Sequence, residues 1–139
     1  MTLTHYVDAN LYHNALKGCS IDGILHMVNV TPIEWFSKKQ ATVETATYRS
    51  EFVAARTCIE QIIDLRNTLR YLGVSIHKCS YMFGDNESVV NSSSVPHAKL
   101  HKHYTALSFH RIQEAVVADY VSFNHLPGSD NLADVLSKH

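Results

Sequence analysis

Four acidic residues occupy positions from which their side chains could do chemistry. Asp8 and Asp85 each end a short β-prone run, "THYVD" and "YMFGD". Carboxylates at the ends of neighbouring strands can lie side by side, a common arrangement for active-site residues in α/β proteins. Glu51 lies beside the start of a long helical pattern, and Asp134 lies in a predicted C-terminal helix. Taken alone, Asp85 or Asn86 could instead be a helix N-cap.

A cluster of these four carboxylates would require a positive counter-charge. Like charges that share a site repel one another, and oxygen ligands of this kind select Mg²⁺ or Mn²⁺. The histidines between residues 97 and 110 offer a second metal hypothesis, because H-x-x-x-H and H-x-H spacings can hold zinc. No cysteine or further acid lies beside them, which favours a polar helix face.

The composition predicts one soluble globular domain over residues 1–139. A chain of 139 residues with 45% hydrophobic content can bury a core. No apolar stretch approaches the roughly 18 residues of a membrane span, and the first residues lack a signal-peptide pattern, so we expect a cytoplasmic protein. Three separated cysteines without a C-x-x-C pair indicate neither disulfides nor zinc. The balance of 12 basic and 13 acidic residues argues against a nucleic-acid binder held by net charge.

The predicted elements follow the order β-β-β-α-β-α-α-β-α, which indicates a mixed α/β sheet with helices packed on it. The first strands form an antiparallel meander with a turn at Thr31-Pro32. The predicted strands cover residues 4–10, 23–30, 33–38, 78–85 and 119–126, and the predicted helices cover residues 47–72, 86–93, 99–118 and 129–139.

The helix over residues 47–72 has the clearest pattern in the chain. Its apolar positions recur every three or four residues, and Gly73 then ends it. These positions are Phe52, Ala55, Ile59, Ile62, Leu65, Leu69 and Leu72. Glu51 immediately precedes the stripe, so its carboxylate can face whatever the helix packs on.

Five stretches follow one another in a specific order: "YVDAN", "PIEWFSKKQATVETATYRSEFVAAR", "GDNESVV", "HAKLHKHYTALSFHRIQEAV" and "NLADVLSKH". In this order, and over essentially the whole chain, they resemble the ribonuclease H domain of copia-type (Pseudoviridae) LTR retrotransposons, found at the C-terminal end of the Pol polyprotein. The resemblance implies a ribonuclease H-like fold, an α/β architecture with a mixed five-stranded sheet and helices packed on both faces.

The resemblance also implies the catalytic, metal-binding residues, which are Asp8, Glu51, Asp85 and Asp134. They would hold two Mg²⁺ ions, for which Mn²⁺ can substitute, with Asp8 between the ions, Glu51 and Asp85 on one side and Asp134 on the other. Among nearby acids, Glu44 precedes the helical stripe, Glu87 would point elsewhere, and Asp130 fits an N-cap for the last helix.

Some ribonucleases H carry a histidine in a loop before the last aspartate. Here His125 has that position, nine residues before Asp134, and its alternative reading is a plain strand-end residue.

The implied activity is metal-dependent hydrolysis of the RNA strand of an RNA/DNA hybrid during reverse transcription, leaving a 5′-phosphate and a 3′-hydroxyl. The implied partners are the hybrid and a polymerase domain in the same polyprotein, with no membrane, in the cytoplasm or inside virus-like particles.

Two basic segments are candidate nucleic-acid contacts. Lys38, Lys39 and Gln40 precede the main helix. The second segment contains Lys99, His101, Lys102, His103 and Arg111. A solvated turn and a helix surface explain them as well. Two alternatives to the ribonuclease remain: a DNA-cutting nuclease of the same fold, or a degenerate element remnant that binds or only folds.

Overall fold

One mixed sheet of five strands forms the centre of the protein in the computed structural model. The structure describes residues 2–10, 19–43, 47–76, 78–85 and 103–134, and gives the backbone alone for residues 10, 19, 20, 39–43, 47–50 and 103–109. The strands are β1 (Leu3–Asn10), β2 (Cys19–Val28), β3 (Thr31–Val43), β4 (Ser80–Gly84) and β5 (Val121–His125). Their spatial order is β3-β2-β1-β4-β5.

The strand directions confirm the mixed sheet predicted from the sequence. β1, β2 and β3 pair antiparallel as a meander. β4 joins β1 in parallel, and β5 joins β4 in parallel. The three parallel strands β1, β4 and β5 therefore end at the same edge of the sheet.

The turn between β2 and β3 lies two residues earlier than the sequence predicts. Asn29 and Val30 form it, and Thr31 and Pro32 already belong to β3. Asn29 has φ 54°, a left-handed conformation that asparagine tolerates better than most residues. Pro32 is compatible with a strand here because β3 is an edge strand, where a missing N–H costs no ladder hydrogen bond.

Two helices pack on one face of the sheet. They are α1 (Thr47–Tyr71) and α2 (His103–Val117), which contact each other and enclose one core with strand residues such as Val7, Ile24 and Met82. The helix predicted over 86–93 lies outside the described residues, and the helix predicted over 129–139 is described only as far as Asp134. None of the described helices is long and apolar enough to cross a membrane.

α1 ends at Tyr71, one residue earlier than the sequence predicts, and Gly73 caps it as expected. Gly73 has φ 83°, and the amides of Gly73 and Val74 bond to the carbonyls of Arg70 and Leu69 at 3.0 and 2.9 Å. The apolar stripe is buried only in its first part, since Ile62 is fully buried whereas Leu72 is 67% exposed. The expectation for Leu72 was wrong because that residue lies in the cap, beyond the helix.

Gly84, at the end of β4, packs against its neighbours too closely for a side chain. A Cβ there would lie 3.0 Å from Cε1 of Phe123 and 3.7 Å from Cγ1 of Val7. A larger residue at the end of β4 would therefore require the Phe123 ring to shift. This close approach fixes the backbone from which Asp85 extends.

The core contains a hydrogen-bonded chain of three polar side chains. Nδ1 of His5 lies 2.7 Å from Nδ1 of His26, and Nε2 of His26 lies 2.6 Å from Oε1 of Gln61. The Gln61 amide oxygen accepts a hydrogen bond from the Nε2–H of His26, so Nδ1 of His26 accepts one from the Nδ1–H of His5. Nε2 of His5 has no partner in the described structure. Burial, followed by the charges of His26 and Arg66, lowers the pKa of His5 to about 3.

We predict that this buried pair makes the fold sensitive to acid. Burial also lowers the pKa of His26, so both rings stay neutral in the native protein while the unfolded chain takes up protons below about pH 6.5. The contribution of the neutral histidines to the free energy of unfolding is fully present above pH 6.5 and is lost as the pH falls toward their native-state pKa values. For His5 alone the loss between pH 7 and 5 is about 2 kcal/mol.

Urea unfolding of the wild type and of His5→Leu/His26→Leu at several pH values measures this effect. The stability difference between the two proteins should shift in favour of the variant as the pH falls. The carboxylates are common to both proteins, so their contribution cancels. A difference that stays constant with pH would contradict the prediction.

Candidate active site

The parallel pairing of β1 and β4 brings Asp8 and Asp85 together. Val7 lies opposite Gly84 in the register, and each of these residues is followed by an aspartate. Asp8 is 5% exposed and Asp85 is half-buried. The expectation that these two carboxylates meet at the ends of neighbouring strands is therefore met.

Glu51 reaches the same point from the first turns of α1. It is 5% exposed, and its Oε1 accepts a hydrogen bond from the backbone N–H of Ala9 at 3.3 Å. Carboxylate oxygens of Asp8, Glu51 and Asp85 all lie within 4.8 Å of one another. We call these three residues the acidic cluster.

The electrostatics of the acidic cluster are those of a cation site. Burial, and then the charges of Asp8 and Asp85, raise the pKa of Glu51 well above its usual value. Burial also raises the pKa of Asp85, and the nearby charge of Asp134 acts in the same direction. Three carboxylates crowded in this way fit a hard divalent cation such as Mg²⁺ or Mn²⁺, whose charge would offset the repulsion.

Asp134 lies near the acidic cluster without being a member of it. Its charge is felt by Asp85, but its carboxylate is not among the three oxygens that lie within 4.8 Å. A buried amide determines its position, because Nδ2 of Asn131 donates to the carbonyl of Val7 at 3.0 Å. Since Val7 precedes Asp8, this bond fastens the last described segment to the strand that carries the first carboxylate.

Asn131, rather than Asp130, caps the turn that leads to Asp134. Oδ1 of Asn131 accepts the N–H of Ala133 at 3.0 Å, and its carbonyl accepts the N–H of Asp134 at 3.2 Å. Asp130 instead closes a short 3₁₀ helix, Gly128–Asp130. Asp130 therefore does not cap this turn, and the helix for which it was the predicted N-cap is described only at Asp134.

His125 ends β5 beside the acidic cluster. It lies opposite Gly84 in the register and is exposed, and its charge lowers the pKa of Asp85. The N–H of Leu126 donates to the carbonyl of Gly84 at 2.8 Å, which holds this strand end in place. A role for His125 in proton transfer or product release remains a prediction.

The basic segments are described only in part. Lys38 is exposed on β3, opposite Asp22 of β2. Lys39 and Gln40 continue the same strand, and their side chains lie outside the described residues. Lys99 and Lys102 also lie outside them, together with Glu44, Glu87 and most of the histidine segment. Their roles stay predictions.

The sequence analysis missed one buried acid beside the site. Asp22 is 4% exposed, lies opposite Ala9 in the register, and its charge raises the pKa of Glu51. Only the pairing of β2 with β1 brings Asp22 to the site. The sequence predicted the second strand to begin at residue 23, so Asp22 was not placed in it. Asn131 was missed as a positioning residue because its partner, Val7, is 124 residues away.

This architecture is that of the ribonuclease H-like fold. The structure of LC11-RNase H1 in complex with an RNA/DNA hybrid matches 97% of this chain and 93% of its own, with a TM-score of 0.73 at 16% identity. The prototype foamy virus protease-reverse transcriptase matches 98% of this chain over 20% of its own, with a TM-score of 0.64 at 13% identity.

The homologues are retrovirus-related Pol polyproteins of plant copia-type transposons. This chain is 30% identical over 139 residues to the Pol polyprotein of transposon TNT 1-94 from Nicotiana tabacum, and 24% identical over 138 residues to that of transposon RE2 from Arabidopsis thaliana. These alignments cover 98% and 99% of the chain but only 10% of each relative. No family model matches the chain.

We predict that removing one charge from the acidic cluster raises stability without metal but abolishes stabilisation by metal. Asp85→Asn should raise metal-free stability by up to about 1 kcal/mol, since solvent partly screens the repulsion that it relieves. It should also abolish the rise in Tm that Mn²⁺ or Mg²⁺ gives the wild type by binding the native state. Thermal unfolding in EDTA and in each metal measures both effects.

Asp64→Asn is the matched control, because Asp64 is exposed on α1 and the substitution removes the same charge. Its metal response should equal that of the wild type. Equal stabilisation of Asp85→Asn and of the wild type by metal would show that the acidic cluster is not the metal site.

A second prediction concerns Asn131. Asn131→Ala should destabilise the fold by about 2 kcal/mol, because it removes the bond to the Val7 carbonyl and the bond to Ala133. Leu132→Ala, at a position that is 50% exposed, should change stability by less than about 0.5 kcal/mol. Urea unfolding compares the two variants, and equal effects would contradict a positioning role for the Asn131 amide.

Proposed function

We propose that this chain is a ribonuclease H that hydrolyses the RNA strand of RNA/DNA hybrids during reverse transcription of a retrotransposon. The acidic cluster carries the proposal: three carboxylates from β1, β4 and α1 lie within 4.8 Å at the edge of a ribonuclease H-like sheet. The relationship to Pol polyproteins supplies the biological setting, and the LC11-RNase H1 structure is a similar fold with a hybrid bound.

The mechanism assigns distinct tasks to the side chains. Asp8, Glu51 and Asp85 would hold divalent metal, and Asp134 would complete the ligand set. Two bound Mg²⁺ ions would activate a water and stabilise the departing 3′ oxygen, so the protein itself need supply no nucleophile. Because Glu51 and Asp85 have raised pKa values without metal, activity should be lost as the pH falls and protons compete for the carboxylates.

The protein residues around the acidic cluster orient its members. The Ala9 N–H fixes one oxygen of Glu51, and Asn131 fixes the segment that bears Asp134. Gly128 allows close approach, since a Cβ there would lie 3.3 Å from Oδ2 of Asp85. His125, exposed beside Asp85, is suited to transfer protons or assist product release.

The partner in this proposal is a polymerase domain of the same polyprotein. The chain spans a tenth of the length of its Pol relatives, and the similar segment of the foamy virus protein belongs to a protease-reverse transcriptase. Covalent linkage to a polymerase raises the local concentration of hybrid, which compensates for the near-neutral charge of the chain. The cytoplasm or a virus-like particle is the proposed location.

End-labelled RNA/DNA hybrid, incubated with the protein in Mn²⁺ or Mg²⁺, tests the activity. The wild type should cut the RNA strand and leave a 5′-phosphate and a 3′-hydroxyl. Asp85→Asn should lower the rate by about 1000-fold or more, because a metal ligand supports several kcal/mol of transition-state stabilisation. Asp64→Asn should leave the rate unchanged.

RNA duplexes and DNA duplexes in parallel reactions decide between the alternatives. Cleavage of DNA duplex but not of hybrid would replace the proposal with a DNA-cutting nuclease of the same fold. No cleavage of any substrate, together with no stabilisation by divalent metal, would identify a degenerate domain.

A further inference from the structure

Three arginines converge on a concave surface at the end of the sheet opposite the acidic cluster. Two cavities of about 320 and 230 Å³ share Arg66 and Arg70 in their walls. The smaller lies where α1, α2 and the start of β5 meet, and its lining is Ile63, Arg66, Asn67, Arg70, Arg111 and Tyr120. We call the two together the arginine cavity.

Arg66 is held in place by the protein itself. Its Nη1 donates to the carbonyl of Lys78 at 2.9 Å and to Oγ of Ser80 at 3.1 Å. Its Cζ lies 6.0 Å from the centroid of the Tyr120 ring. A guanidinium and an aromatic ring are therefore already ordered side by side, so a ligand would pay little entropy to use them.

In the described residues, no close ion pair neutralises the guanidinium groups of Arg70 and Arg111. Arg111 lies 3.7 Å from Glu114, but their side chains are 38% and 71% exposed, so this pair is weak. In the described part of the chain, Arg70 forms no ion pair. A cation in the last turn of α1 offsets the helix dipole, which accounts for Arg70 alone but not for three arginines from two helices.

We propose that the arginine cavity binds a nucleotide unit. Guanidinium groups suit phosphate oxygens better than any other side chain, through paired N–H donors. The Tyr120 ring, 46% exposed beside them, offers a face on which a base can stack, and the Asn67 amide can bond to a base edge. The larger cavity, about 320 Å³, is by itself at the lower end of the range for small-molecule pockets.

This site is separate from the acidic cluster. Nineteen residues of α1 separate Glu51 from Arg70, which is about 28 Å at 1.5 Å per residue. Along β4, Ser80 and Asp85 are about 16 Å apart. A nucleotide in the arginine cavity is therefore not the one whose phosphodiester is cut. The inference draws on the proposed function for its ligand, since a nuclease of hybrids encounters both strands and single nucleotides.

Binding of a labelled single-stranded DNA of about 10 nucleotides, followed by fluorescence anisotropy in EDTA, tests the site without catalysis. Arg70→Ala/Arg111→Ala should weaken binding by about 10-fold at low salt. It should also reduce the slope of log affinity against log salt by about 1.4, because each phosphate contact on a single strand contributes about 0.7. Arg66 is left intact because its bonds to Lys78 and Ser80 hold the fold together.

Arg56→Ala is the control, since it removes an α1 arginine that is already paired with Glu60. Arg70→Ala alone should lower the salt slope by about 0.7, and Arg56→Ala should leave it unchanged. Equal losses of strand affinity from Arg70→Ala and Arg56→Ala would overturn the proposal. No loss of affinity in Arg70→Ala/Arg111→Ala would overturn it too. An acidic peptide that binds where neither strand nor nucleotide does would overturn it as well.

Competition identifies the source of the nucleotide. Displacement of the labelled strand by adenosine monophosphate, but not by inorganic phosphate, would assign a free nucleotide recognised through its base. Retention of the strand in the presence of both would assign the nucleotide to a nucleic-acid chain. A wild type that cuts hybrid when metal is supplied but does not bind the strand in EDTA would refute only this inference and leave the nuclease proposal intact.

Discussion

The parallel pairing of β1 with β4 is the constraint on which the rest of the site depends. It places Val7 opposite Gly84, so the aspartates that follow them meet at one edge of the sheet although 77 positions separate them in the chain. The repulsion between these carboxylates is overcome by the sheet ladder and by the packing beneath it. Holding these carboxylates together therefore lowers the free energy of unfolding of the native protein.

Packing on either side of this pairing leaves little freedom. Gly84 packs closely against the Phe123 ring, where a Cβ would lie 3.0 Å from Cε1, and α1 presents Glu51 to the N–H of Ala9. Asn131 closes the arrangement from the far end of the described chain by its bond to Val7. Each contact acts on β1 or β4, so a disturbance in the core beneath these strands would be felt at the carboxylates.

The two ends of the sheet differ in chemistry. Acids collect where β1 and β4 end, whereas Arg66 and Arg70 lie where β4 begins and α1 ends. α1 connects the two ends, with Glu51 in its first turns and Arg70 in its last. Near-neutral composition therefore conceals two regions of opposite charge, which a count of charged residues over the whole chain cannot reveal.

The sequence by itself predicted the order of the described elements and the helical stripe with its Gly73 cap, and it proposed the four acids as site residues. These depend on local periodicity, turn chemistry and an ordered set of motifs, all of which are legible along one chain. Only the tertiary structure decided which acids touch: Asp8, Glu51 and Asp85 form one cluster while Asp134 lies beside it, and Asp22 is buried nearby. It also decided that Asn131 anchors the last segment and that His5 meets His26 in the core. These contacts join residues 21 to 124 positions apart, and their energies come from pairing and burial that no local pattern encodes.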